Sequence, residues 1–238
     1  MYDMYDLLLQ LPLFQGINRA RLGELIEKTK FHFLKYPAGT QLVKKGEACT
    51  HLKFLISGKI RTELSNSNGK IRISEEFDAP NVIAPNFMFG ATTSYPYDVY
   101  AVEDTGLMQI DKPTFISLMQ NEEIFLLNML NITSNRSQRS FESFSFFTSG
   151  DMKEKLASWI LNFTNRKADN IRIVCKQKEL YTFFGVQRSV FLYALNELKD
   201  MKIIDYDMKQ ISVLDRYALQ QVTMNEEEEE FAESAYKS

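Results

Sequence analysis

Residues 178–204 constrain the fold of this chain more than any other segment, because two short amphipathic helical patterns flank a single glycine. The apolar positions of the two patterns are Leu180, Phe183, Phe184, Phe191, Leu195 and Leu198. Gly185 lies between the patterns, where a tight turn needs a residue that tolerates positive φ. Two alternating segments follow at 203–206 and 211–214 and predict a small hairpin. The order predicts a helix-turn-helix followed by a wing.

The second of these helices, predicted over 187–201, would bring its N-terminal residues to DNA. The major groove admits one α-helix, whose N-terminal residues come nearest to the base edges. We predict base or phosphate contacts from Gln187, Arg188, Ser189 and Tyr193, with Arg188 suited to guanine O6 and N7. Four lysines would offset backbone charge, namely Lys178, Lys199, Lys202 and Lys209. The alternative is that the helix pair is only a packing element.

The charge of the chain is unevenly distributed. The formal net charge is −3, yet residues 226–230 are five consecutive glutamates and residues 151–224 contain twelve Lys and Arg against nine Asp and Glu. A run of like charges is typical of a solvated, disordered segment. We therefore predict a mildly basic C-terminal region followed by an acidic, disordered tail at 225–238.

The first half of the chain has the pattern of a β-structure. Six residues from 54 to 64 alternate on one face and predict one strand, namely Phe54, Ile56, Gly58, Ile60, Thr62 and Leu64. A turn at 66–69 and resumed alternation at 71–77 follow, and further short strands are predicted near 82–83, 99–102 and 107–110. Many short strands separated by turns indicate a barrel or roll.

A long helix is predicted between the two halves. Pro113 opens a first helix, and residues 124–147 then contain neither Pro nor Gly. Their stripe at three- and four-residue steps consists of Ile124, Leu127, Leu130, Ser134, Gln138, Phe141 and Phe144. Such a length exceeds the typical helix of about 11–12 residues. The stripe is compatible with a seam between two chains and with packing on the chain's own β-structure.

Residues 148–150 predict a domain boundary. Asp151 is a candidate N-cap for a helix to about residue 163. The residues predicted to face inward on this helix are Met152, Leu156, Trp159, Ile160 and Phe163.

Several classes of protein are disfavoured by the sequence. No uninterrupted apolar stretch reaches the roughly 18 residues of a membrane span. The two cysteines, Cys49 and Cys175, argue against a disulfide framework and for a reducing cytoplasm. The phosphate-loop, nucleophile-elbow and zinc-protease motifs do not occur, so we expect no enzymatic activity.

Four motifs in order resemble those of the cyclic-AMP receptor protein / fumarate–nitrate reduction regulator (CRP/FNR) superfamily. They are LPLFQGI at 11–17, YPAGTQLVKKGE at 36–47, FLISGKI at 54–60 and GVxRxxxxxALxELxxxxII at 185–204. The resemblance implies an α+β chain with a double-stranded β-roll sensor at 1–120, a dimerisation helix at 121–148 and a winged helix-turn-helix at 149–224. It also implies a bacterial-type, ligand-gated homodimer that binds double-stranded DNA and works with RNA polymerase.

The likeness fails at the phosphate cassette of the family's cyclic-nucleotide binders. Phe89-Gly90-Ala91 stands where they have Phe-Gly-Glu, and Tyr95-Pro96 stands where they have Arg-Ser or Arg-Thr. A cyclic phosphate would lack its charge-assisted contact, so we expect no tight cyclic-AMP binding. The candidates for a different polar pocket are Asn86, Phe89, Gly90, Thr92, Thr93 and Tyr95, unless they only line a closed roll.

The sequence also bears on iron–sulfur and haem sensing and on a function other than DNA binding. The family's iron–sulfur sensors need four cysteines, so we expect no such cluster. The three residues able to ligate a haem iron are Cys49, His32 and His51, although lone side chains of these types are more often structural. On the helix predicted over 187–201, Arg188, Ser189 and Tyr193 occupy positions where many relatives have Arg, Glu and Arg. The DNA sequence that this chain binds should therefore differ from the sites of those relatives. The rival hypothesis is a dimeric roll that binds another protein instead of DNA.

Overall fold

The computed structural model describes residues 4–223, without the side chains of residues 139, 140 and 142–149. The predicted acidic tail at 225–238 lies outside the described residues. The chain packs as two compact units. Within the described residues, one comprises residues 4–64 and 74–138, and the other comprises residues 65–73 and 139–223. In the described part, no helix is both long enough and apolar enough to cross a membrane.

The first unit is a β-roll flanked by helices. Its helices are α1 (Met4–Leu9), α2 (Arg19–Lys28), α3 (Lys112–Asn121) and the first part of α4 (Glu123–Ser149). Its strands are β1 (His32–Tyr36), β2 (Gln41–Val43), β3 (His51–Ser57), β4 (Lys59–Ser65), β5 (Arg72–Asp78), β6 (Asn81–Ile83), β7 (Asp98–Ala101) and β8 (Thr105–Asp111). The predicted turn at 66–69 and the predicted strands at 71–77, 82–83, 99–102 and 107–110 are confirmed.

Two strand layers enclose the core of the roll. One has the order β1-β8-β3-β6, and the other has the order β5-β4-β7-β2. The inward faces contribute large buried side chains to a common core, including Phe54, Ile60, Phe77, Val99 and Met108. Removing such faces from water is the main driving force for closing the roll.

The single strand predicted over 54–64 is wrong, because the chain changes layers at Gly58. β3 ends at Ser57 in one sheet and β4 begins at Lys59 in the other. Gly58 has φ +84, and a Cβ there would lie 2.5 Å from the carbonyl oxygen of Asp104. Only glycine meets both demands. The register also shifts between Leu55 and Ser57, so Leu55 is buried instead of Ile56.

Two helices follow the roll, and the first has a side-chain N-cap. The side chain of Asp111 accepts a hydrogen bond from the backbone N–H of Thr114 at 2.9 Å and begins α3, with Pro113 in its first turn. The 27-residue α4 confirms the long helix. On one side of α4, Phe125 packs edge-on against Phe14 at a centroid distance of 5.3 Å.

The second unit is a helical domain with a small sheet. Its elements are α5 (Met152–Phe163), β9 (Asp169–Val174), α6 (Gln177–Phe183), α7 (Arg188–Asp200), β10 (Ile204–Tyr206), β11 (Gln210–Val213) and α8 (Arg216–Gln221). Asp151 and Glu154 form a capping box at the start of α5. Of the predicted inward residues of α5, only Phe163 is wrong. It is the last residue of the helix and lies exposed, with its ring 5.7 Å from that of Trp159.

Candidate nucleic-acid interface

The turn between α6 and α7 is closed by backbone hydrogen bonds. The N–H of Gly185 donates to the carbonyl of Thr182 at 3.2 Å, and that of Val186 donates to the carbonyl of Tyr181 at 3.0 Å. Gly185 has φ +67, and a Cβ there would meet no atom within 4 Å. Its backbone conformation therefore favours glycine, as the sequence predicted.

The amphipathic pattern of α7 fixes which residues it presents to solvent. The predicted inward residues Phe191, Leu195 and Leu198 are fully buried, and Ala194 joins them. The predicted contact residues Arg188, Ser189 and Tyr193 are exposed on the other side. The buried face thus anchors the helix while its outer face stays available.

The N-terminal end of α7 suits an anion or a base edge. Gln187 is the N-cap, but its side chain makes no capping hydrogen bond. The N–H groups of a first helical turn lack intrahelical partners and carry the positive end of the helix dipole. Among residues 4–223, Arg188 forms no ion pair. The structure thus brings together one guanidinium, one amide and one hydroxyl at this end, which is a chemistry suited to phosphates and guanine edges.

The four predicted lysines occupy three different places. Lys178 is exposed on α6, and Lys209 lies in the turn between β10 and β11. Lys199 is eleven residues after Arg188, about 16 Å along the helix axis. Its Nζ lies 2.7 Å from Oδ1 of Asp205, and this hydrogen bond raises the pKa of Lys199. Lys202 has φ +60 in the turn after α7.

In the structure, Lys199 and Lys202 therefore lie away from the predicted base contacts at residues 187–189 and 193. Both lie at the C-terminal end of α7, whereas the exposed amide, guanidinium and hydroxyl are at its N-terminal end. All four lysines remain predicted phosphate contacts, and Lys199 also joins α7 to β10 through Asp205.

Four of the six residues predicted to line a pocket in the roll differ in their exposure. Thr92 and Gly90 are exposed, and the ring of Phe89 lies 4.9 Å below Nζ of Lys112. Tyr95, in contrast, is buried, and its hydroxyl donates to the carbonyl of His51 at 3.1 Å. Burial raises the pKa of this phenol. Tyr95 is a core residue whose hydroxyl already has an acceptor.

The remaining two candidates are Asn86 and Thr93. The carbonyl of Thr93 accepts from the N–H of Cys49 at 2.9 Å and so has a backbone role. Asn86 lies in the 3-10 turn Pro85–Phe87, and its buried Oδ1 has no hydrogen-bond partner within the described residues. Of the six candidates, Asn86 is the one with an unused buried acceptor.

A polar cluster inside the roll was missed by the sequence analysis. Oγ1 of Thr62 donates to Oε1 of Glu75 at 3.2 Å, and both residues are buried. Burial and the neighbouring Glu75 raise the pKa of Tyr97 to about 12, while Arg136 acts in the opposite direction. Glu75 stands between Ile73 and Phe77 in the alternation of β5. A carboxylate at an inward position was the signal available in the sequence.

The two cysteines of the chain are free thiols. Cys49 and Cys175 are both buried and free, and burial raises the pKa of each thiol, that of Cys175 to about 11. Within residues 4–223, no group of three or more His, Cys, Asp or Glu side chains is arranged to hold a metal ion.

Two family models match the chain, one in each half. The model of a cyclic nucleotide-binding domain matches residues 33–122, and the model of a Crp-like helix-turn-helix domain matches residues 154–222. The first match covers the roll, and the second covers α6, α7 and the hairpin after them.

The chain is also similar to individual proteins. The cAMP-activated global transcriptional regulator CRP of Salmonella typhimurium is 21% identical over 187 residues, which cover 76% of this chain and 89% of the relative. Regulatory protein YeiL of Escherichia coli O157:H7 is 25% identical over 131 residues, 55% of this chain and 58% of the relative. The crystal structure of the Thermus thermophilus Catabolite Activator Protein superposes with a TM-score of 0.53 at 16% identity, covering 89% of this chain and 98% of that one. This last likeness shows the fold.

Proposed function

The chain belongs to the CRP/FNR superfamily of DNA-binding transcription regulators, and on that premise we propose that it binds an inverted-repeat DNA site as a homodimer. The observation that supports this most directly is the exposed N-terminal end of α7, with Gln187, Arg188 and Ser189 ahead of a buried apolar face. A two-fold dimer presents two such helices to half-sites about 34–36 Å apart.

The homodimer is supported by the apolar residues that α4 leaves uncovered. On one side, Phe125 and Met129 are buried against the roll. On another side, Leu127 is 47% exposed and Leu130 is 52% exposed, and Phe141 continues this stripe. Apolar side chains repeated along one face of a 27-residue helix are suited to a two-chain seam.

We propose that the effector of the roll is not a conventionally bound cyclic nucleotide. Ala91 offers no carboxylate to a ribose, and Tyr95 is a buried core residue where an arginine would be needed. Glu75 is hydrogen-bonded to Thr62 inside the roll and supplies no cation for a phosphate. The protein would act in the cytoplasm as a regulator without enzymatic activity, with RNA polymerase as a further partner.

Selection of genomic DNA fragments by the purified protein, without added effector, tests this proposal. We expect enrichment of a recurring inverted repeat, with affinity that falls steeply as salt rises because bound phosphates release counterions. A protein that enriches no sequence, with or without added metabolites, would support the rival hypothesis of a protein-binding module.

A further inference from the structure

The tip of the wing is unusually well fixed for a surface turn. Oδ1 of Asp207 accepts from the N–H groups of Lys209 and Gln210 at 2.7 and 2.8 Å. The carbonyl of Asp207 accepts from Nε2 of Gln177 at 3.1 Å, and the carbonyl of Lys209 accepts from the N–H of Cys175 at 2.8 Å. These bonds tie the turn to β9 and to the start of α6.

Met208 is the residue that this fixed turn presents to solvent. Its side chain is 81% exposed, the highest value among the large apolar residues of the described chain. A flexible loop could fold such a side chain back onto the protein, but the hydrogen bonds of Asp207 hold the turn in place. Lys209 follows directly, so an apolar side chain and a cation stand side by side at the tip.

The contacts of β10 show towards which end of α7 the wing points. Asp205 is bonded to Lys199, and the hydroxyl of Tyr206, one residue later, lies 2.5 Å from Oδ1 of Asn196. The ring of Tyr206 still lies 5.4 Å from Nζ of Lys199, but its hydroxyl reaches Asn196, which is nearer the N-terminus of α7. Two more residues of extended chain after Tyr206 span at most about 7 Å, or about four to five residues of helix, which carries the tip beyond Asn196 towards the N-terminal half of α7.

Met208 therefore stands beside the end of α7 that we assign to DNA. Tyr193 precedes Asn196 by three residues and shares its face of the helix. A helix about 10–12 Å wide fills the major groove, so a hairpin alongside it reaches the flanking backbone and the minor groove beyond. In proteins that bind there, exposed methionines act as wedges between base steps.

We propose that Met208 enters the minor groove next to the half-site bound by α7 and partly unstacks a pyrimidine–purine step, while Lys209 contacts the adjacent phosphate. The proposal rests on the proposed function and adds a specificity-determining residue to it. Pyrimidine–purine steps are the easiest to kink. Sequence preference would therefore extend beyond the bases that α7 touches.

Met208→Ala and Met201→Ala, compared on the selected operator by fluorescence anisotropy, test this inference. Met201 is a matched control, because it is a methionine 57% exposed at the opposite end of α7. We expect Met208→Ala to weaken operator binding about tenfold, in the range of one lost base-step contact, and Met201→Ala to leave it unchanged.

A second measurement uses 2-aminopurine at the flanking step. Its fluorescence should rise when wild-type protein or Met201→Ala binds and should stay low with Met208→Ala. Equal affinities and equal fluorescence for the two variants, with a wild-type protein that binds tightly, would overturn the role of Met208 and leave the proposed function intact. A wild-type protein that binds no DNA would overturn both.

Discussion

The side chain of Asn128 in α4 donates to the carbonyl of Leu13, 115 residues earlier in the chain, at 2.9 Å. A second bond of 2.9 Å runs from the same Nδ2 to the carbonyl of Gln15. One buried amide group thus joins the long helix to the segment before α2 and satisfies two carbonyls that the local backbone leaves unpaired.

Replacing Asn128 by Ala should destabilise the protein by about 1–3 kcal/mol, because buried carbonyls lose their donor. Asn131→Ala, at an exposed position of the same helix, is the matched control and should change stability by less than about 0.5 kcal/mol. Urea denaturation followed by circular dichroism measures both. Equal midpoints for the two variants would show that the bonds of Asn128 contribute nothing.

The seam on α4 predicts a change of oligomeric state on substitution of its leucines. Burying a leucine side chain contributes about 1.5–3 kcal/mol, and a symmetric seam buries each residue twice. The double variant Leu127→Glu/Leu130→Glu should therefore be monomeric at micromolar concentration in sedimentation equilibrium. Asn135→Glu, an exposed position away from the stripe, should remain dimeric. A dimeric double variant would place the interface elsewhere.

Arg188→Ala should weaken operator binding by about 1–3 kcal/mol, as for a lost bidentate base contact. Arg172→Ala is the control, since Arg172 is an exposed arginine of β9 whose Nε bonds to Asn170 at 3.0 Å. Anisotropy titrations measure the affinity of each variant for the operator and for unrelated DNA. Loss of a base contact lowers only the affinity for the operator, whereas loss of a phosphate contact lowers both. Unchanged operator affinity would remove Arg188 from the interface.

Cyclic AMP should give no measurable binding isotherm at micromolar protein in titration calorimetry. Glu75 occupies the interior of the roll, and the segment at 89–96 supplies no arginine for the phosphate. The cAMP-activated regulator of Salmonella typhimurium serves as the positive control for the titration. A dissociation constant in the micromolar range or below would contradict the expectation.

Gly58→Ala should destabilise the roll more than Gly39→Ala. Both glycines have positive φ, +84 and +81, but only the Cβ at Gly58 would meet other atoms, the nearest at 2.5 Å. Backbone strain of about 1–3 kcal/mol is common to both, and overpacking adds about 1–3 kcal/mol at Gly58. The difference between the melting temperatures of the two variants measures the steric cost at Gly58. Indistinguishable melting temperatures would refute that cost.

The sequence by itself determined the features that depend on local periodicity and backbone chemistry. The apolar spacing of Phe191, Leu195 and Leu198 fixed the buried face of α7, and Gly185 fixed the turn before it. Asp151 fixed the start of α5 through a hydrogen bond to a residue three positions away. Such features are predictable because the interacting groups lie within one turn of chain.

Only the tertiary structure decided the features that join distant residues. The layer change at Gly58 depends on the carbonyl of Asp104, and the polar cluster depends on Thr62 meeting Glu75 from another strand. The ion pair of Lys199 with Asp205 joins α7 to β10, and the bonds of Asp207 and Gln177 fixed the wing that presents Met208. These contacts form only when packing brings separate elements together. The periodicity of the sequence therefore cannot predict them.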